Sequence, residues 1–164
     1  MSEVRIAAGL ARRSPVPRAV HPIAGSVALV TIASFLSSTI AVEIAGATEA
    51  IVRVKTLIPW GLLVLVPALA LTGGSGFALA GRHGGGRVAA KARRMKLIAA
   101  NGILVLVPAA FFLAMKAAAG ELDAAFYAVQ AIEILAGIVN LTLIVRNLRD
   151  GLALRAMRNR KQRT

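Results

Sequence analysis

The residues best placed to do chemistry lie in the last apolar run of the chain. Gln130, Glu133, Gly137 and Asn140 are spaced 3, 4 and 3, and Asn147 follows one heptad later. On a helix these positions form one stripe. A carboxyl group in such a run can carry a proton or hold a ligand, or it can simply hydrogen-bond a neighbouring helix, a bond worth roughly 1 kcal/mol in a membrane. Left ionised near mid-membrane, the acid costs at least about 3 kcal/mol. The stripe is therefore expected to face the protein interior.

The elements that must position it are apolar helices. Of the 164 residues, 57% are hydrophobic and 16% charged, and several windows exceed the roughly 18 apolar residues of a membrane span. The expected fold is all-α: one integral membrane four-helix bundle covering residues 1–164. A basic arm occupies 1–21, the spans run about 22–42, 56–80, 97–115 and 124–145, and a basic tail occupies 146–164. Residues 43–55 and 81–96 read as loops, the second built around Gly84–Gly86. Without cysteine, disulfides, thiolate metal sites and thiol catalysis are excluded.

Depth along these spans nominates partners. Ser34 lies level with Glu133, and Ser37 and Ser38 lie within a turn. Asn101 matches Asn140, and Trp60 matches Gln130. The four spans so bounded hold no Lys, Arg or His, so no salt bridge is expected at the depth of Glu133, which would be protonated or bonded to hydroxyls. Small residues suggest close helix contacts, with Thr72, Gly76 and Ala80 on span 2 and Thr31, Ser34, Ser38 and Ala41 on span 1.

A repeat frames the stripe. Residues 61–68 read GLLVLVPA and 102–109 read GILVLVPA, and Arg53 and Lys55 recur as Arg94 and Lys96. The shared Arg, Lys, Gly and Pro make chance resemblance of apolar runs a poor explanation. In consecutive spans the copies form an inverted one-span repeat, with helix kinks at Pro67 and Pro108 near the midplane. This reads as a shared packing solution rather than an active motif.

Charge gives orientation. Of the Lys and Arg residues, 17 fall on the face of the arm, the 81–96 loop and the tail, and 3 on the other. The positive-inside rule places both termini in the cytoplasm. The net charge of +13 is thus a topology signal and a surface for anionic lipid headgroups, with no nucleic-acid partner implied. His21 and His83 fall outside the spans. They make poor axial ligands, so no cofactor is expected and haem b is only an alternative. No catalytic or metal-binding motif accompanies them, and a G-x-x-x-x-G-K-[ST] phosphate loop is absent.

From Arg53 to Gly151 the chain resembles a group of small uncharacterised bacterial four-span inner-membrane proteins. The resemblance rests on RVKTLIPWGLLVLVPALALTGGSGFALAG, RRMKLIAANGILVLVPA and FYAVQAIEILAGIVNLTLIVRNLRDG. It implies an inner-membrane location and carries over no activity. In layout the chain is loosely similar to b561-type cytochromes, whose haem histidines within spans have no counterpart here. It is also loosely similar to small multidrug transporters, whose membrane acid lies in the first span rather than the fourth.

The sequence therefore points to a non-enzymatic structural or accessory subunit, packing against itself as a homo-oligomer or against a larger membrane complex. The alternatives are a proton-coupled carrier or channel subunit using Glu133, and a haem or quinone electron-transfer protein.

Overall fold

A computed structural model of the chain describes residues 19–80 and 86–161. The basic arm before Ala19, and His83 with residues 81–85 of its loop, lie outside the described residues. Four helices are long and apolar enough to cross a membrane: Val20–Ala45, Thr48–Gly76, Ala90–Ala118 and Ala124–Ala153.

Helix α1 (Val20–Ala45) stops at Gly46, which takes φ 65° and donates its N–H to Val42 and Glu43 carbonyls. Glycine enters this left-handed conformation without the Cβ penalty, so the helix closes and the chain turns at once. Helix α2 (Thr48–Ala80) starts two residues later. The stretch 43–55, expected as a loop, is therefore helical except at its Gly46–Ala47 turn. Mixed charge suggested a loop, but nothing between Thr48 and Lys55 breaks a helix. Arg53 faces outward and Lys55 inward. Pro59 and Pro67 both lie within continuous α2.

The third span has three parts: α3 (Gly86–Asn101), a π-helical turn (Gly102–Leu106) and α4 (Val107–Ala118). In the turn the Val107 N–H reaches back to the Gly102 carbonyl. Pro108, with no N–H to give, follows directly, where a regular helix would lack a bond anyway. The two copies of the repeat therefore differ in backbone and in the face they bury. Leu62 is 8% exposed, whereas its counterpart Ile103 is 68% exposed. Helix α5 (Ala124–Lys161) continues through the segment expected as a separate tail.

Two apolar clusters hold the bundle. Towards the α4–α5 turn, the Asp123 end, Ile51, Leu113, Ala117 and Phe126 pack together. The larger cluster joins Ala28, Ile32, Ile58, Leu62, Leu65, Ala68 and Ala110. In a bilayer such contacts act through close packing more than water exclusion, so small residues matter where helices cross. At Gly61 the Phe35 ring edge occupies the place a Cβ would take. The row on α2 behaves similarly: Thr72 lies 3.6 Å from the Cβ position of Gly25, and His21 lies against Gly76. Outward-facing Ile23, Val30, Leu57, Leu63, Leu104 and Leu135 leave an apolar perimeter.

Candidate functional site

The interior polar stripe is centred on an ion pair. Lys55, only 1% exposed, donates from Nζ to Glu133 Oε2 and to Thr39 Oγ1 at 3.3 Å. Three helices, α1, α2 and α5, meet at this ammonium. The expectation of a protonated acid without a basic partner is thus corrected: Glu133 has a cation because α2 begins eight residues earlier than hydropathy placed it. The signal was present in the sequence. Ile51, Lys55, Ile58, Leu62 and Leu65 are spaced 4, 3, 4 and 3, so Lys55 falls on the buried stripe of its helix.

The hydroxyls matched to Glu133 by depth do not reach it. Ser37 donates to the Ala33 carbonyl at 2.6 Å and Ser38 to that of Phe35 at 3.0 Å, while Ser34 is exposed. Serines inside helices commonly return to the preceding turn in this way. The hydroxyl that does join the pair is Thr39, 2% exposed, one turn beyond Phe35.

The apolar cluster of Ile51, Leu113, Ala117 and Phe126 lies towards the Asp123 end of the bundle, and the Glu133 side chain keeps 12% of its surface exposed. Towards the bundle centre lies a cavity of about 60 Å³, lined by Leu36, Thr39, Leu106, Ala110, Glu133 and Gly137 among others. Gln130 and Glu43 each bury one Oε1 with no partner among the described residues. Trp60, 70% exposed, turns to the perimeter and away from Gln130, which is 3% exposed.

The next rung is an amide pair. Asn101 Nδ2 donates to Asn140 Oδ1 and to the Ala136 carbonyl, both at 2.9 Å, and Asn140 Nδ2 donates to the Ile98 carbonyl at 3.4 Å. Asn140 is fully buried, so these bonds satisfy groups that lipid could not. Two turns further, Asn147 is 5% exposed and neither amide atom has a partner among the described residues.

Polar residues also pin the ends. Asp123 caps α5 by accepting the Phe126 N–H at 3.0 Å, and Lys116 bridges Asp123 at 2.7 Å and Glu121 at 2.9 Å. The Lys116 hydrogen bond, then the Phe126 N–H, holds the Asp123 carboxyl below the usual carboxylate range. At the other end His21 lies inside α1, and its Nδ1 donates to the Thr72 carbonyl at 3.0 Å with Ser75 Oγ at 3.2 Å. A carbonyl only accepts, so Nδ1 carries the hydrogen. Arg94 on α3 pairs with Asp150 on α5. Among the described residues no three His, Asp or Glu side chains gather as a metal-ligand set.

Fold and site together define an all-helical, multi-span bundle with, among the described residues, one charged pair in its interior. No known family matches the chain, and no curated protein or solved structure is similar to it.

Proposed function

We propose that the chain is a non-enzymatic structural or accessory subunit of the bacterial inner membrane, packed against itself or a larger membrane complex, with both termini cytoplasmic. One observation carries this reading: the single acid in the polar stripe is paired with Lys55, which also donates to Thr39, near the two apolar clusters. A pair so held joins three helices through the Lys55 ammonium. The charge count supports the orientation. Lys55 belongs to the interior and Lys116 is balanced by two carboxylates, which leaves Arg53 opposite the basic face. Ile51 shares a cluster with Ala117, and Met95 Cε lies 4.0 Å from the Cβ position of Gly73, so the spans carrying the two copies run antiparallel, which supports treating the repeat as inverted. The resemblance to small bacterial four-span proteins agrees with the location.

Affinity purification from native membranes tests the proposal. A stoichiometric membrane partner or a defined homo-oligomer is expected. A monodisperse monomer would overturn it. The carrier reading retains one supporting observation, the cavity beside Glu133 with the unpartnered Glu43 and Gln130 oxygens nearby in sequence depth. Proton flux into proteoliposomes that is lost in Glu133→Gln would favour the carrier.

A further inference from the structure

The cavity beside the ion pair is walled by all four spans: Leu36 and Thr39 of α1, Leu62 of α2, Leu106 of the π-turn, and Glu133 and Gly137 of α5 all line it. The lining is apolar except at one end, where Thr39 and Glu133 stand within hydrogen-bond reach of the same Lys55 ammonium. Two hydrogen-bonding positions stay open there. Lys55 donates to Glu133 Oε2, and Oε1 has no partner among the described residues. Thr39, 2% exposed, accepts from Lys55 and keeps its own O–H. Thr31, Thr56, Thr72 and Thr142 return their hydroxyls to the preceding turn, whereas Thr39 makes no such bond among the described residues. Buried polar groups in this state call for partners. The open positions are one acceptor and one donor, and a hydroxyl group is the complement of both. A cation would meet the Lys55 ammonium and an anion the Glu133 carboxylate, so a neutral head is selected. The cavity, about 60 Å³, is twice the roughly 30 Å³ that a water occupies in the liquid. Beyond the first oxygen its wall offers only carbon, where a second water would lack polar partners and an alkyl group would not need them.

We propose that this cavity is a binding site for a small neutral hydroxyl compound, which donates to Glu133 Oε1, accepts from the Thr39 O–H and lays a short alkyl chain among the leucines. The class is the short-chain alcohols of about three heavy atoms, and water is the other source of the same hydroxyl. Gly137 and Ala110 leave the room, since neither carries a side chain beyond Cβ. The ligand also completes the hydrogen bonds of the interior pair, which a buried charge needs on its remaining lone pairs. This site goes beyond the subunit reading and depends on neither a partner nor an orientation.

The test uses the full-length, methyl-labelled protein in phosphatidylcholine bicelles, titrated with ethanol and followed by NMR. Ethanol that merely enters lipid shifts signals without saturating. A site shifts the Leu62, Leu65 and Leu106 methyl signals saturably and gives ethanol-to-methyl NOEs. With three heavy atoms the dissociation constant should be about millimolar at best. Thr39→Val keeps the shape and removes the donor, so it should weaken ethanol about 3- to 10-fold while leaving xenon, an apolar probe of the same space, unaffected. Gly137→Ala adds a methyl group at an ordinary 3.5 Å from Leu36 Cδ1, so the fold should accept it while binding of both probes falls. Water-to-methyl NOEs at the same leucines, without saturable ethanol binding, would assign the hydroxyl to water. A response to xenon alone, or to none of the three, would overturn the site, as would ethanol binding unchanged in Thr39→Val. If Thr39→Val does not fold, Gly137→Ala decides, and undiminished ethanol binding in it refutes the proposal.

Discussion

Replacing Glu133 by Gln keeps the side-chain volume and one acceptor oxygen but removes the charge opposite Lys55, which is 1% exposed. Breaking a buried pair from one side typically costs about 3–5 kcal/mol, because the remaining charge is uncompensated. The double variant Lys55→Met/Glu133→Leu should recover to near wild type, as apolar replacements of buried pairs often do. Equilibrium unfolding of the four proteins in bicelles closes the double-mutant cycle. Single-variant losses below about 1 kcal/mol, or a double variant whose loss is the sum of the singles, would refute a coupled interior pair.

Other consequences are separable. Asn140→Ala removes the shared amide bonds and should cost about 1–2 kcal/mol by the same unfolding assay. Because the two repeat copies bury different faces, Leu62→Ala should cost about 2–5 kcal/mol, whereas Ile103→Ala should stay within about 0.5 kcal/mol of wild type. Gly61→Ala places a methyl group against the Phe35 ring and should destabilise by about 1–3 kcal/mol, with partial rescue by Phe35→Leu. The Asp123 cap stabilises the start of α5 above the ordinary carboxylate range. That contribution disappears as pH falls through the carboxyl's lowered value, so the protection factor of the Phe126 amide, taken against its intrinsic exchange rate, should fall in acid and already be low in Asp123→Ala.

The helical class was legible because four long apolar runs admit few other folds. The inward stripe was legible because polar groups at 3- and 4-residue spacing on a span have one economical direction to face. Lys55 was not legible by hydropathy, which averages over a window and assigns a lone lysine at the edge of a span to the loop. Its place on the 51–55–58–62–65 stripe carried the correct information at a different period. Ser37 and Ser38 misled because depth fixes only height, and a hydroxyl can close on its own helix without crossing to another. The π-turn had no sequence counterpart, since almost the same octapeptide remains continuous helix in α2.

That turn also sets how the third span can vary. A π-turn accommodates one residue more than regular helix and so shifts the angular phase of all that follows by about 100°. Before it, Ile98 and Asn101 face inward; after it, Ala109, Leu113 and Ala117 do. Deleting a single residue from 102–106 would remove that surplus and let the segment close as regular helix, so Leu113 and Ala117 would keep their cluster and Asn101 its rung. The same deletion in the matching stretch of α2, which is regular helix, would turn everything after it by about 100°. The third span can therefore lose a residue where its repeat partner cannot.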